Sequence, residues 1–496
     1  MPLCVIKDED TGIDLADVPI DRDYYVGNAG GIAPEKASAI IQQMERKKQA
    51  AAIAVPTADN KVKLELRKRG EPITLFGEGP ADRRERLRFL MLDAGETEVA
   101  DDDVDMDDAN GADEEEFYTE GIPELLLARR EIAEYSLPRA QKRIARQREE
   151  SEISLQKSLK FRRGIKARLG QYGLYGSQIA GDRPVSIARF SPNSEVVVAG
   201  NFGGGLKILS VPDLEERGIL RGHTDRIGGI AWHPEATLSL SPEVANLATG
   251  GADTDIHLWS LNNETPLATL SGHKGRVARV EYHPSGKYLA SASFDSTWKL
   301  WDLTTQKALL TQEGHSKEVY SVAFQNDGAL VASGGLDSYG RVWDLRTGRT
   351  IMVLDGHIRE ITGLSWNRDG YRLISSSGDA SCKVWDVRMV RCTATIGAHK
   401  SLVSDVRYFN GYPSMSHPDI PSDKDELLRE EGTYFVTSGF DGTVNIYSSD
   451  DWAIIKTLSG HTGNVTSVDV SNDNKWIVST GTDRTCKLWC QEDYGS

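Results

Sequence analysis

The chain has 496 residues, a formal net charge of −16 and five cysteines. Its length predicts several structural units or a long repeat array, and the odd cysteine set without CxxC spacing argues against a disulfide scaffold or a zinc site. No apolar run approaches the roughly 20 residues that span a bilayer, and the N terminus lacks a signal-peptide core, so we expect a soluble intracellular protein without membrane contact.

Charge is distributed unevenly along the chain. Residues 1–120 carry 29 acidic and 15 basic side chains, whereas residues 121–170 carry 6 acidic and 13 basic ones. This asymmetry predicts a basic arm between an acidic N-terminal region and a globular C-terminal body.

The first 92 residues predict a loose tail and a small helical unit. Residues 1–54 lack sustained periodicity, which indicates a partly disordered tail with a short helix near 35–52. Residues 55–92 predict a helical hairpin, because Gly70 can end a first helix and Pro80 can start a second one. About 40 residues bury little core, so we expect the hairpin to dock on another surface.

The hairpin carries a phenylalanine in its turn and a cluster of arginines on its second helix. Guanidinium groups suit phosphate or carboxylate groups, which makes this cluster a candidate contact with RNA or protein. The alternative is a solvated basic face. The candidate residues are Phe76, Arg83, Arg84, Arg86 and Arg88.

Residues 93–120 contain 14 acidic residues and no basic one. Such a segment repels itself, so we expect a disordered linker or a decoy for basic partners.

Residues 121–170 predict a basic helical arm with a break at Pro138. Its bases could neutralise RNA phosphates, although the arm lacks interleaved aromatic residues for base stacking. The alternative is a helix that packs on the globular body or on a protein partner, with its basic face in solvent. The candidate partner or RNA contacts are Arg139, Lys142, Arg143, Arg146, Arg162, Arg163 and Lys166.

Residues 174–496 contain a repeat. Six histidines that follow Gly or Ala are spaced by 50, 42, 42, 42 and 62 residues, and each is followed by an aspartate with a hydroxyl residue four positions before it and an aromatic residue six positions after it. The segments between these marks alternate in hydrophobicity with a period of two, which predicts strands.

A period of about 40 to 45 residues with four strands per unit resembles the WD40 repeat. An unmarked unit at 183–210 precedes the six marked ones. The fold prediction is therefore a mainly β protein with a seven-bladed WD40 β-propeller over 174–496, in which residues 174–180 close the last blade.

The repeated Ser, His and Asp residues invite comparison with a hydrolase triad. A hydrolase needs one such set in one cleft, whereas this chain has six sets at blade spacing. The resemblance to WD40 proteins implies a structural hydrogen-bonded tetrad in each blade, so we expect no catalytic, metal or cofactor site. The six tetrads are Thr249, His223, Asp253 and Trp259; Ser291, His273, Asp295 and Trp301; Ser333, His315, Asp337 and Trp343; Ser375, His357, Asp379 and Trp385; Thr437, His399, Asp441 and Tyr447; and Ser479, His461, Asp483 and Trp489.

Apolar residues at the propeller rim and two insertions are candidate binding features. Phe294, Leu336 and Phe440 each precede a tetrad aspartate, and Tyr320 lies at the start of another blade. These four could anchor a partner or could belong to blade packing. The insertions, near 235–244 and 411–431, could bind a partner or be tolerated loop growth.

The hairpin carries a second resemblance. Pro56-Thr57, Gly70-Glu71-Pro72, the run Leu75 to Glu78, Pro80 and the run Asp82 to Leu87 are similar to the splicing-factor motif of pre-mRNA processing factors. Together with the propeller, this motif resembles the pre-mRNA processing factor four family, whose members are WD40 subunits of the U4/U6 small nuclear ribonucleoprotein.

The family resemblance implies a non-enzymatic scaffold in the nucleus that acts in pre-mRNA splicing within the U4/U6 particle and its larger assembly with U5. Implied partners are pre-mRNA processing factor three and the spliceosomal cyclophilin H, with U4/U6 small nuclear RNA as a further candidate and no small-molecule substrate. The alternative is a WD40 substrate receptor of a ubiquitin ligase or a chromatin-associated interaction module, for which the sequence offers no F-box or comparable adaptor motif.

Overall fold

The computed structural model describes residues 46–50, 53, 55, 59–73, 79–94, 121–411 and 428–491. The chain divides into two compact units, Met1–Asp113 and Glu114–Ser496. The acidic segment at 95–120, Phe76 and most of the second insertion lie outside the described residues. Among the described residues, no helix has the length and apolar character needed to cross a membrane.

The first unit contains a pair of packed helices, α1 (Asp59–Lys68) and α2 (Pro80–Ala94). Their contact is apolar and fully buried, with Val62 and Leu66 of α1 against Leu87 and Met91 of α2. Gly70 follows α1 with φ +72°, a left-handed conformation that glycine adopts without a Cβ penalty. Residues 46–50 are also helical.

The second unit begins with two arm helices, α3 (Glu124–Ser151) and α4 (Leu155–Leu169). The predicted break at Pro138 is wrong, because α3 continues through that residue and ends at Ser151. Pro138 and Glu134, whose carbonyl loses its helical N–H donor, both lie on the exposed side, where water can replace the missing hydrogen bond. Packing on both sides of Pro138 holds the helix together.

The arm is followed by 28 strands in the described part of the chain, and they form seven four-stranded antiparallel sheets. The seven-bladed propeller predicted from the repeats is confirmed. From the inner to the outer strand, blades 1 to 3 consist of β2 (Val185–Phe190), β3 (Val196–Asn201), β4 (Leu206–Ser210) and β5 (Glu216–Leu220); β6 (Ile227–Trp232), β7 (Leu247–Gly251), β8 (Ile256–Trp259) and β9 (Ala268–Leu270); and β10 (Val277–Tyr282), β11 (Tyr288–Ser293), β12 (Trp298–Asp302) and β13 (Lys307–Gln312).

Blades 4 to 6 have the same order. They consist of β14 (Val319–Phe324), β15 (Leu330–Gly335), β16 (Gly340–Asp344) and β17 (Thr350–Leu354); β18 (Ile361–Trp366), β19 (Arg372–Ser377), β20 (Ser381–Asp386) and β21 (Arg391–Gly397); and β22 (Val403–Tyr408), β23 (Tyr434–Gly439), β24 (Thr443–Ser448) and β25 (Ile454–Ser459).

Blade 7 combines the two ends of the propeller. Its inner strands are β26 (Val465–Val470), β27 (Trp476–Gly481) and β28 (Thr485–Gln491), and its outer strand is β1 (Tyr172–Ile179). The β1–β28 ladder runs from Tyr172 opposite Gln491 to Ile179 opposite Thr485. This pairing covers β28 on both sides and makes β1 the outer edge of blade 7.

The innermost strands of neighbouring blades contact one another around the ring. They bury a network of charges, in which Asp405 accepts a hydrogen bond from Arg189 at 2.9 Å and lies 3.5 Å from Arg279. These arginines lower the pKa of Asp405 even though burial alone would raise it. Hydrogen-bonded ion pairs of this kind avoid the cost of an isolated buried charge.

Candidate functional site

The repeated histidines lie within hydrogen-bonded tetrads. In blade 3, Trp301 Nε1 donates to Ser291 Oγ at 2.8 Å, Ser291 Oγ lies 2.6 Å from His273 Nε2, and His273 Nδ1 lies 2.7 Å from Asp295 Oδ2. A carboxylate only accepts, so the proton resides on Nδ1 and Nε2 accepts from the hydroxyl. The same order of contacts occurs in blades 2, 4, 5 and 7.

Blade 6 departs from this pattern, and the prediction that Tyr447 completes its tetrad is wrong. His399 contacts Thr437 at 2.9 Å and Asp441 at 3.0 Å as in the other blades, but the Tyr447 hydroxyl donates to the Ala398 carbonyl at 2.9 Å. The phenol oxygen extends beyond the position of an indole nitrogen and therefore meets a different acceptor.

The tetrad hydroxyls are inaccessible to a substrate. All six have 0 % exposure, so none can attack a bound molecule without opening its blade. They are Thr249, Ser291, Ser333, Ser375, Thr437 and Ser479.

Hydrogen bonding fixes the charge states within the tetrads. Burial would raise the pKa of Asp379, but hydrogen bonds from Ser381 and His357 lower it to about 2. Burial lowers the pKa of His357, against the opposing effect of Asp379. The carboxylate is therefore ionised and the imidazole neutral near pH 7.

Blade 2 contains a group with metal-ligand chemistry that was not recognised from the sequence. The group consists of His223, Asp253 and His257. Each residue offers one ligand atom, and these three atoms lie within 4.8 Å of one another. Both ring nitrogens of His223 are already hydrogen bonded, to Asp253 and to Thr249, so a metal ion would have to break the tetrad. These residues fit a structural role.

The predicted rim residues lie at equivalent places in different blades. Phe294, Leu336 and Phe440 each donate a backbone N–H to a carbonyl of the segment that leads into the inner strand. The Phe294 ring contacts Tyr320 edge to face, with centroids 6.1 Å apart, and the Arg276 guanidinium lies 3.6 Å from its centroid. Leu336 and Tyr320 are half-buried, whereas Phe440 is 38 % exposed. Their role as partner anchors stays a prediction.

The first half of α3 packs on blade 3. Leu125, Ala128 and Ile132 join the same buried cluster as Tyr288. Glu131 accepts hydrogen bonds from Lys287 at 2.9 Å and from the Tyr288 hydroxyl at 3.1 Å.

The second half of α3 places predicted contact residues against the propeller. Arg143 donates to Asp327 Oδ2 at 2.7 Å and to the Asp369 carbonyl at 2.9 Å. Arg146 is buried and pairs with Glu150 on its own helix. Lys142 is exposed. This geometry is the packed arrangement that the sequence left as the alternative to a free basic arm.

Arg139 is also buried, with its guanidinium 4.7 Å from the centroid of the Tyr135 ring. It borders a cavity of about 270 Å³ that the innermost strands also line, for example through Arg189 and Arg407. Burial lowers the pKa of Arg139.

The bases of α4 divide between the propeller and solvent. Arg162 pairs with Asp450, Lys166 donates to Asp451 Oδ2 at 2.8 Å, and Arg168 pairs with Glu430. Arg163 is exposed on the other side of the helix.

The hairpin arginines differ in exposure. Arg83 is 8 % exposed, and Arg86 donates to the Pro72 carbonyl at 2.9 Å, which fastens α2 to the turn. Arg84 and Arg88 are half-buried. Two of the four predicted contacts therefore contribute to the hairpin itself.

Sequence reasoning missed four propeller arginines that lie beside the arm: Arg368, Arg372, Arg388 and Arg429. Together with bases of α3 and α4 they border a crevice of about 460 Å³. None of the four occupies a repeat mark, so the repeat pattern gave no signal for them. Arg388 lies two residues after the Trp-Asp pair that ends a repeat, and this position was the nearest signal in the sequence for these arginines.

Family models match the two parts of the chain separately. Residues 62–90 match the model described as pre-mRNA processing factor 4 (PRP4) like. The segments that match the model described as WD domain, G-beta repeat are 214–260, 264–302, 306–344, 348–386 and 452–490. The blade with Tyr447 lies between the last two matched segments.

Relatives match over different lengths. The U4/U6 small nuclear ribonucleoprotein PRP4 of Saccharomyces cerevisiae is 38 % identical over 497 residues, which covers 96 % of this chain and 99 % of that protein. The U4/U6 small nuclear ribonucleoprotein Prp4 of Bos taurus is 42 % identical over 221 residues, covering 44 % of this chain and 42 % of that protein. An uncharacterized WD repeat-containing protein of Schizosaccharomyces pombe is 43 % identical over 260 residues, covering 52 % and 56 % of the two chains. The matched part of the chain thus spans about half the length of the bovine and fission-yeast relatives.

Proposed function

The chain belongs to the pre-mRNA processing factor 4 family, and we propose that it is a non-enzymatic scaffold subunit of the U4/U6 small nuclear ribonucleoprotein and of its assembly with U5. In this role it acts in pre-mRNA splicing in the nucleus. The observation that carries the proposal is the coexistence, in one chain, of the family's short motif at 62–90 and a seven-bladed propeller, together with an alignment over 96 % of the chain.

The chemistry of the propeller supports a scaffold. In its six sets of Ser or Thr, His and Asp the hydroxyl residues are fully buried, and the hydrogen bonds of the sets stabilise the blades. What remains for a partner is a broad outer surface with apolar residues such as Phe440 at the rim.

The N-terminal elements support attachment to a particle. The α1–α2 hairpin buries a core of only a few side chains, so docking on a partner would stabilise it. We assign pre-mRNA processing factor three and the spliceosomal cyclophilin H as protein partners on the strength of the family. Direct contact with U4/U6 small nuclear RNA would use bases of the hairpin and the arm, with Arg84, Arg163 and Lys142 as half-buried or exposed representatives.

Purification from nuclear extract tests the proposal. Tagged full-length protein is isolated at moderate salt, and the retained RNA is sequenced beside a control purification with the tag alone. We expect U4 and U6 RNA to be enriched together with the two protein partners. Retention of neither RNA would contradict membership of the particle.

A further inference from the structure

A crevice of about 460 Å³ lies between the basic arm and the propeller, and both contribute to its lining. The arm contributes four bases to its walls, and these are Lys142, Arg143, Arg146 and Arg162. The helices α3 and α4 both reach this crevice, so it exists only because the arm packs on the blades.

The propeller contributes four more cationic side chains, and these are Arg368, Arg372, Arg388 and Arg429. Three acidic residues also border the crevice: Glu150, Asp369 and Glu431. Arg143, Arg162 and Arg388 also pair with Asp327, Asp450 and Asp386, which lie outside this lining. The eight bases therefore face six acids in total, which leaves an excess of two positive charges.

Internal ion pairs leave some donors of this crevice unused. Arg146 Nε donates to Glu150 at 3.0 Å, whereas Arg146 Nη2 is buried without a hydrogen-bond partner among the described residues. Arg368 Nε is also buried without a hydrogen bond among the described residues, and its nearest acidic oxygen, Glu431 Oε2, is 3.7 Å away. A buried guanidinium N–H without an acceptor is costly, and an anion in the crevice would supply one.

Positively charged side chains lie close to one another in the same crevice. Burial and the nearby positive charge of Arg372 lower the pKa of Arg162. The Arg388 guanidinium is stacked 3.4 Å from the centroid of the Tyr371 ring, which holds it beside the crevice. The cations are thus concentrated and oriented before any ligand arrives.

We propose that this crevice binds phosphate groups. Arginine forks match the oxygens of a phosphate, and one or two phosphates would balance the excess positive charge. The phosphates could belong to a single RNA strand or to a compact small molecule that carries several of them; a duplex about 20 Å wide would not enter a cavity of this volume. The RNA source rests on the function proposed above, whereas phosphate binding itself does not.

Binding measurements with the purified full-length chain test the proposal. The probes are inorganic tripolyphosphate, followed by calorimetry, and a fluorescent ten-nucleotide oligouridylate, followed by anisotropy. Binding of tripolyphosphate alone identifies a compact ligand, and binding of the oligonucleotide with higher affinity identifies an RNA strand. Either result supports the site, and failure of both probes to bind overturns it.

A matched pair of charge reversals locates the binding. Lys142→Glu with Arg388→Glu changes two exposed positions at the crevice, whereas Arg148→Glu with Arg163→Glu makes the same charge change at exposed arm positions outside it. We expect the first pair to weaken binding at least tenfold and the second less than twofold. For the oligonucleotide, the first pair should also reduce the slope of log affinity against log salt by about 1 to 2. Equal loss in both pairs would show a diffuse charge effect and overturn the assignment. Because the probes are added directly, the result is independent of RNA retention in the extract.

Discussion

Trp343 stabilises blade 4 in two ways. Its ring belongs to the buried cluster beneath α3 and lies near Trp298, with centroids 6.2 Å apart, while its Nε1 donates to Ser333 Oγ at 2.8 Å. The indole therefore joins the apolar core of the blade to its polar tetrad. The same combination explains why an aromatic residue recurs at this place in the repeat.

Replacing Trp343 by Phe removes the N–H donor and some buried surface. We expect the free energy of unfolding to fall by about 2 kcal/mol, measured by urea denaturation. Trp476→Phe is the control, because Trp476 is half-buried and belongs to no tetrad. Equal losses in the two variants would mean that the tetrad hydrogen bond contributes nothing of its own.

Acid should weaken the blades through the tetrad carboxylates. Hydrogen bonds from Ser381 and His357 lower the pKa of Asp379 in the folded chain to about 2, below the ordinary value of 3.8. A lowered carboxyl pKa contributes stability that is present above about pH 4 and is lost as the pH falls toward 2. The lowered pKa of His357 acts in the same direction, with stability present above the ordinary value of 6.5 and lost as the pH falls below it.

Urea denaturation between pH 7 and pH 3 checks this pH dependence. We expect stability to decline toward acid, and Asp379→Asn to be less stable at pH 7 with a shallower decline below pH 4. A variant that keeps the full decline would show that another group titrates in this range.

Helix α3 shows how tertiary packing overrides a local signal. Pro138 suggested a break, yet the helix continues because its two halves are fixed to the propeller, by Ile132 on one side and Arg143 on the other. The tetrads could be predicted because their residues recur at fixed spacing. The acceptor of the Tyr447 hydroxyl could not be predicted, because it is a backbone carbonyl that only the fold brings close. The crevice beside the arm could not be predicted either, because its arginines come from separate segments of the chain.

The contact between Arg143 and Asp327 should dominate the attachment of α3. Asp327 has a side-chain exposure of 1 %, so removing Arg143 leaves a buried carboxylate with less compensation. We expect Arg143→Ala to lower the free energy of unfolding by about 3 kcal/mol and to speed hydrogen exchange in the second half of α3. Arg130→Ala is the control, because it removes only the exposed pair with Glu134 and should cost less than about 0.5 kcal/mol. If hydrogen exchange in the second half of α3 stays slow in the Arg143→Ala variant, the apolar contacts attach this helix to the propeller and the ion pair does not.

The propeller and its arm form one compact unit, separate from the hairpin unit. The arm covers parts of blade 3 and of blades 6 and 7, while β1 completes blade 7. The stability of this unit should therefore depend on the arm and on β1.

Two truncations test this dependence, and a chain that starts at residue 121 is the reference. A chain that starts at residue 171 should be less stable, because it lacks α3 and α4, and one that starts at residue 181 should also aggregate, because β28 becomes an open edge. A soluble, monomeric chain from residue 181 would show that blade 7 does not need β1.

The pairing of β1 with β28 also constrains how the protein is made. Thr485 leaves the ribosome about 300 residues after its partner Ile179, which corresponds to roughly 15 to 60 s of translation at about 5–20 residues per second. During that time β1 has no partner strand, while the blades between β1 and β28 can fold in turn. The ring can close only after β28 has been synthesised, so the nascent chain exposes β1 as an unpaired strand until then.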